Sequence, residues 1–303
     1  MPNTRDIRRR IKSVKNTSQI TKAMQLVAAS KMKKAQDQAL NGRPFAETLN
    51  KVVNKLKSKM DDDTHPLLEQ RGEGGKTLVI VVNTDKGLCG GLNTNLLKAV
   101  VEASPDGADF ATVGKKLSKS LVRSGANLVA EFILPDPVGF ADCKTVSKFA
   151  AEKFLEGEYD TVMVAFTNFV NTLTQTPAVE TLLPVSAVSL GKKKDFEGMG
   201  QDKEWDKAEE ESGGDGALSG YLFEPTPVDV FSTAVPMYVD YEFYQMVLEG
   251  RASEHSARMV AMKSATDNAN QLAKDLTLEY NKVRQAAITN ELLEITTAMK
   301  ALE

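Results

Sequence analysis

The sequence predicts an α/β domain inserted between two long helices that belong to the two ends of the chain. Three observations carry that prediction. Residues 3–41 hold neither proline nor glycine and repeat small or apolar residues at a three-four spacing. Residues 237–303 do the same, with Gly250 as their one glycine and no proline. Between them, from Lys76, buried-strand and helical patterns alternate.

At the start, Asn3 or Thr4 can cap the first helix. Ile7, Ile11, Val14, Ser18, Thr21, Met24 or Gln25, Ala28, Met32, Ala35 and Ala39 then form a coiled-coil seam with small or polar residues at several positions. The segment is apolar on more sides than one seam requires. GRP at 42–44 predicts a bend, and a second helix follows over 45–60. Residues 1–60 therefore form one unit, and DDDTHP with GEGG makes 61–75 a linker.

TLVIVVN at 77–83 reads as a fully buried strand. GLCGGLN turns the chain into a helix over 93–102. A strand over 109–114, a helix over 115–123, a strand over 127–134 and a helix over 142–155 repeat the alternation. Strands over 160–171 and 178–186, joined by a turn, predict an antiparallel hairpin at one edge of a mostly parallel sheet. The α/β domain spans 76–190. Residues 191–220 are polar, glycine-bearing and acidic after Asp195, the composition of a flexible insertion. Residues 221–303 are a return segment and the last helix.

A continuous helix over 237–303 would be roughly 100 Å long at ~1.5 Å per residue, longer than any ordinary domain. Met262, Ala265, Ala269, Leu272, Leu276, Tyr280, Val283 and Ala287 give it a seam that needs a partner. The N-terminal helix has the matching pattern. The fold class is therefore α/β plus long helices: an antiparallel coiled coil of the N- and C-terminal helices around an inserted Rossmann-like α/β domain. The C-terminal helix is the longer, so one helix protrudes. Ile288, Leu292, Leu293, Ile295, Met299 and Leu302 put apolar residues on several of its faces, which requires enclosure by something else.

Composition narrows the function. The 303 residues are 42% hydrophobic, enough for a sizeable core. No stretch approaches the ~20 apolar residues of a membrane span. The two cysteines, Cys89 and Cys143, fit neither a disulfide framework nor a zinc site. The net charge of −3 conceals an asymmetry: residues 1–60 hold 15 basic and 3 acidic side chains, and the remainder 23 and 38. A basic arm on an acidic body suits an acidic partner, either nucleic acid or a carboxylate-lined protein surface. Phe45 is the one aromatic residue in the arm, so base stacking has little to use.

No catalytic constellation stands out. Gly87, Gly90 and Gly91 give G-x-x-G-G, not the dinucleotide fingerprint, and no G-K-[ST] follows. His65 and His255 have no accompanying triad pattern. The chain is expected to hold no active site, metal or cofactor of its own. A nucleic-acid-binding protein using the basic arm and a nucleotide-dependent enzyme built on the α/β domain are the competing classes.

RRRIKSVKNTSQITKAMQLVAASKM at 8–32, DKGLCGGLN at 85–93, SEHSARMVAMKSATDNA at 253–269 and LTLEYNKVRQAAITNELLEI at 276–295 resemble the gamma subunits of F-type ATP synthases. The resemblance implies a central shaft. Its tip sits in a ring of three alpha and three beta subunits, and its foot binds the epsilon subunit and the membrane rotor ring of c subunits. ATP chemistry then occurs on beta, and the chain is a non-catalytic part of an enzyme. A helix that meets each beta subunit in turn accounts for apolar residues on every side.

Position by position, the resemblance implies beta-subunit contacts at Lys22, Met24, Lys31, Lys33, Asp85, Lys86, Arg258, Arg284, Gln285, Thr289 and Glu291, and rotor-ring or epsilon contacts at Tyr221, Phe223 and Glu224. The family usually has arginine where this chain has Lys86, so that contact loses a bidentate fork. EITTAMKALE replaces a commonly glycine-containing terminus, and Thr296, Thr297 and Met299 make the tip bulkier. Photosynthetic members carry a regulatory insertion near 191–220, with a cysteine pair in plants; this one has no cysteine, so no thiol switch is expected there. The expected location is the cytoplasmic face of a bacterial inner membrane, peripheral, with no direct membrane insertion and no nucleic-acid partner.

Overall fold

The computed structural model describes residues 4–57, 65–70, 75–185, 224 and 226–302. The insertion at 191–220, and Tyr221 and Phe223 after it, lie outside the described residues. The chain divides into two compact units, one made of residues 1–29 and 258–303, the other of residues 30–257.

The larger unit is built on a five-stranded sheet of order β3-β2-β1-β4-β5. The strands are β1 (Thr77–Val82), β2 (Asp109–Val113), β3 (Asn127–Phe132), β4 (Thr161–Phe169) and β5 (Gln175–Leu183). Helices α2 (Leu92–Ala103), α3 (Ser118–Arg123) and α4 (Phe140–Leu155) connect the parallel strands. β5 returns antiparallel to β4, as the hairpin pattern predicts. β1 is the central strand and every one of its residues is buried, which is why TLVIVV has no polar alternation. Val79, Val81 and Ala165 pack with Leu96, Val100 and Leu121 of α2 and α3 on one side. Leu78, Ile80, Val164 and Phe166 pack on the other side with α4 and the long helices.

Both terminal helices are longer than predicted. α1 runs unbroken over Thr4–Lys57 with Pro44 inside it, so the expected bend at 42–44 and separate second helix are not observed. Pro44 lacks an N–H, and the Thr48 hydroxyl donates to its carbonyl at 2.8 Å. Gly42 serves close approach rather than a turn: a Cβ there would stand 2.7 Å from Tyr241 Oη, and the Phe45 ring lies tilted against that same ring with centroids 5.4 Å apart. α5 runs over Pro227–Leu302 and carries Pro236 inside it, so it starts well before the point expected. Pro227 suits a first helical position, and the Thr226 hydroxyl accepts the Asp229 N–H at 3.2 Å. α3 begins at Ser118 and β3 ends at Phe132, both shorter than predicted.

The smaller unit pairs the start of α1 with the end of α5. Ser18 Oγ donates to Asn270 Oδ1 at 2.7 Å, and the hydroxyls of Thr21 and Thr266 meet at 2.7 Å. The numbers rise along one helix and fall along the other, so the pairing is antiparallel, as predicted. Ile7, Ser18, Thr21 and Ala28 are buried on α1, facing Met262, Thr266 and Ala273 on α5. Leu272 does not belong to the seam: it is 49% exposed, and Ala273 takes its place. Ala287 is exposed too. Small hydroxyl and alanine side chains let the helices approach closely, and a leucine at the contact would hold them apart.

Candidate functional site

Continuing the observed register brings the start of α1 opposite about residue 284 of α5. Residues 284–300 are all exposed, so the C-terminal helix overruns its partner. Ile288, Leu292, Leu293, Ile295 and Met299 are each at least half exposed on this stretch. The overhang contains Arg284, Gln285, Thr289 and Glu291. Helical spacing puts Arg284 with Glu291 on one row and Gln285 with Thr289 on another, roughly a third of a turn round the helix, and the Thr289 hydroxyl donates to the Gln285 carbonyl at 3.0 Å. All four are exposed.

Elsewhere in the smaller unit, Lys22 is exposed and its ammonium donates to Gln25 Oε1 at 3.4 Å. Met24 is half-buried beside the seam. Arg258 is half-buried, and the register sets it opposite about Ala29, more than one turn from Met24. Ile20, Leu26 and Val27 are each more than half exposed on α1. This unit therefore presents large apolar side chains to its surroundings around much of its girth.

In the larger unit, Lys33 and Lys86 are exposed and Glu224 is an exposed bend residue. Lys31 is engaged within the chain, 2.6 Å from Asp136 Oδ2. Burial raises the Asp136 pKa, but the Lys31 hydrogen bond and the charges of His255, Lys31 and Arg251 outweigh it, holding the carboxyl below its ordinary range. Asp85 and Lys86 part company: Asp85 turns inward, with Oδ2 3.3 Å from Arg251. Leu88 follows them with a left-handed φ of 64° and its side chain 61% exposed.

Arg251 is a residue the sequence reading missed. Its side chain is buried, 3.0 Å from Glu254 Oε2 and 3.3 Å from Asp85 Oδ2, and it donates to the Leu134 carbonyl at 3.4 Å. Burial alone would favour deprotonation, but Glu254 and Asp85 more than offset it and the pKa is raised. Residues 251–256 are buried on all sides of the helix. EGRASEHS gave no warning of this, because a helical run with no apolar stripe ordinarily reads as solvent-facing.

The turn after β1 is closed by side-chain hydrogen bonds. Asn93 fills it, donating to the Thr84 hydroxyl at 2.8 Å and accepting from the Thr84 N–H at 3.4 Å. Cys89 and Cys143 are buried and form no disulfide. Burial, with the Asp142 charge, pushes the Cys143 thiol up to about 12. Among the described residues no group of histidine, cysteine and carboxylate side chains could hold a metal, and no helix is long and apolar enough to cross a membrane.

The family model described as ATP synthase matches residues 3–302. The chain is 49% identical over 303 residues to the ATP synthase gamma chain of Akkermansia muciniphila, covering all of both chains. It is 47% identical over 301 residues to that of Opitutus terrae, covering 99% of each. Its fold is similar to a chain in the rotor of the Euglena gracilis mitochondrial ATP synthase, at TM-score 0.62 and 22% identity, covering 94% of this chain and 98% of that one. The paired terminal helices, the inserted sheet and these full-length matches place the chain in the ATP synthase gamma chain family.

Proposed function

We propose that this chain is the central rotor shaft of an F-type ATP synthase. It couples ion-driven rotation of the membrane ring, by protons or sodium, to the conformational cycling of catalytic beta subunits, and so to ATP synthesis and hydrolysis. Beyond family membership, the observation that carries this reading is the overhang of α5 at 284–300, exposed throughout and apolar on several faces. A lone helix with apolar residues on several faces marks an interaction surface, and a partner that encloses it covers every face at once. A ring of three alpha and three beta subunits around one copy of this chain is such a partner. Because the shaft is asymmetric, the subunits around it differ in shape, and turning it interconverts their nucleotide affinities.

On this reading Arg284, Gln285, Thr289 and Glu291 meet beta at the tip. Lys22, Met24, Lys33 and Arg258 meet it lower down, and Lys86 meets it at the collar. Lys31 and Asp85 act from within their ion pairs with Asp136 and Arg251. Epsilon and the c ring bind the foot, with Glu224 and the neighbouring Tyr221 and Phe223 as contacts. The chain is peripheral, on the cytoplasmic face of a bacterial inner membrane. Mixing it with alpha and beta subunits of the same organism tests the core of this. A stable 3:3:1 complex whose steady ATP turnover requires the chain is the expected result; equal turnover without it would reject the reading.

A further inference from the structure

Open parallel sheets hold their ligands in a crevice beyond the carboxyl ends of the strands, where the strand order reverses. Here that place lies between β1 and β4, since the chain leaves β1 toward β2 and β3 on one side and returns to β4 on the other. It is filled by α5. A Cβ on Gly250 would stand 3.0 Å from Val82 Cγ1, at the end of β1. Glu249 and Ser253, both fully buried, lie along the end of β4.

The fit to β4 is specific. The register between β1 and β4 closes at Val81 and Ala165, while β4 continues to Phe169. Past that point α5 stands in for a strand. Glu249 Oε2 accepts the Phe169 N–H at 3.0 Å, and the Ser253 hydroxyl donates to the Thr167 carbonyl at 2.9 Å. Four residues of helix rise ~6 Å and two residues of strand ~6.6 Å, so the two spacings match. Arg251 adds a contact from another side, to Asp85 and to the Leu134 carbonyl beyond β3.

We propose, resting on the rotor reading above, that this filled crevice is the joint through which the α/β domain grips and turns α5. Glu249, Gly250 and Ser253 are its positioning residues. Apolar packing is non-directional and does not by itself tie the helix to particular points on a strand. Hydrogen bonds to two fixed points on one strand set both its rotation and its height. The crevice that binds a ligand in other sheets of this type has the chain's own helix as permanent occupant.

The test compares stiffness with turnover. A cysteine placed at exposed Lys98 on α2 carries a bead, since the native cysteines are buried. The chain is assembled with alpha and beta subunits, and the angular variance of the bead is recorded while the motor is stalled. With Glu249→Ala and Ser253→Ala together, the variance rises at least about twofold as the two directed bonds are lost. Unloaded ATP turnover stays at the wild-type level. Glu249→Gln, which keeps an acceptor for the Phe169 N–H, restores the wild-type variance. Ser253→Ala alone, the mildest change, gives a smaller rise. Unchanged variance in the Ala variants, with a wild type that rotates, overturns the joint. A wild type that never rotates overturns the rotor reading and the joint with it.

Discussion

Gly42 offers a prediction whose sign depends on a residue 199 positions away. It sits inside α1, where glycine is about 1 kcal/mol less favourable than alanine. On propensity alone Gly42→Ala stabilises. The structure reverses this: the new Cβ would meet Tyr241 Oη at 2.7 Å, below any normal contact. Overpacking of this kind costs about 1–3 kcal/mol, so the net effect is a loss of about 1 kcal/mol. The ring carbons of Tyr241 are farther off, at 3.6 Å, an ordinary contact. Removing only the hydroxyl therefore removes the clash. In a Tyr241→Phe background, Gly42→Ala should gain about 1 kcal/mol, a coupling of about 2 kcal/mol between the sites. Urea unfolding of the four proteins, followed by circular dichroism, measures each term. An equal effect of Gly42→Ala in both backgrounds would refute the close-approach reading and return Gly42 to the role of a simple helix weakener.

Arg251→Met should cost about 3–5 kcal/mol, because buried Glu254 and half-buried Asp85 would both lose the guanidinium they share; a loss below about 1 kcal/mol in denaturant unfolding would contradict that. Asp136, with its pKa held below the ordinary value, contributes stability that is present above about pH 4 and is lost as pH falls through the depressed folded value. Asp136→Asn should accordingly flatten the acid limb of the stability profile, and an unchanged limb would count against the Lys31 pair. Neither Cys89 nor Cys143 should react with a thiol reagent at pH 8 until the protein is unfolded, as absorbance of the released thiolate reports. Truncation after Glu291 removes exposed Leu292, Leu293, Ile295 and Met299, and light scattering should show less self-association with the midpoint of the larger unit unmoved.

The sheet was legible because its strands carry their own labels. β1 is a run of buried β-branched residues, and the hairpin of β4 and β5 follows two strand patterns separated by a short turn. The helix pair was legible from three-four spacing, and its antiparallel sense from the two chain ends meeting around an inserted domain. The exact seam was not: Leu272 and Ala273 are adjacent, and hydrophobicity favours the leucine, whereas close helix approach selects the alanine. The bend expected at 42–44 failed for a related reason. Glycine and proline punctuate isolated chains, but packing against Tyr241 overrides that local preference. Glu249 and Ser253 went unread because their partners on β4 lie 80 or more residues away, and Arg251, though three residues from Glu254, takes its other partners, Asp85 and the Leu134 carbonyl, from distant parts of the chain. The proposed beta contacts rest on resemblance, not on physics; an exposed arginine on a helix looks the same whether or not a partner awaits it.

The most direct test of the central claim is to watch the chain turn. With alpha and beta subunits fixed to a surface and a bead on Lys98→Cys, ATP should drive rotation in one direction, with three dwell positions in each turn, one per beta subunit. ATP hydrolysis that proceeds at full rate while the bead stays still would contradict the account.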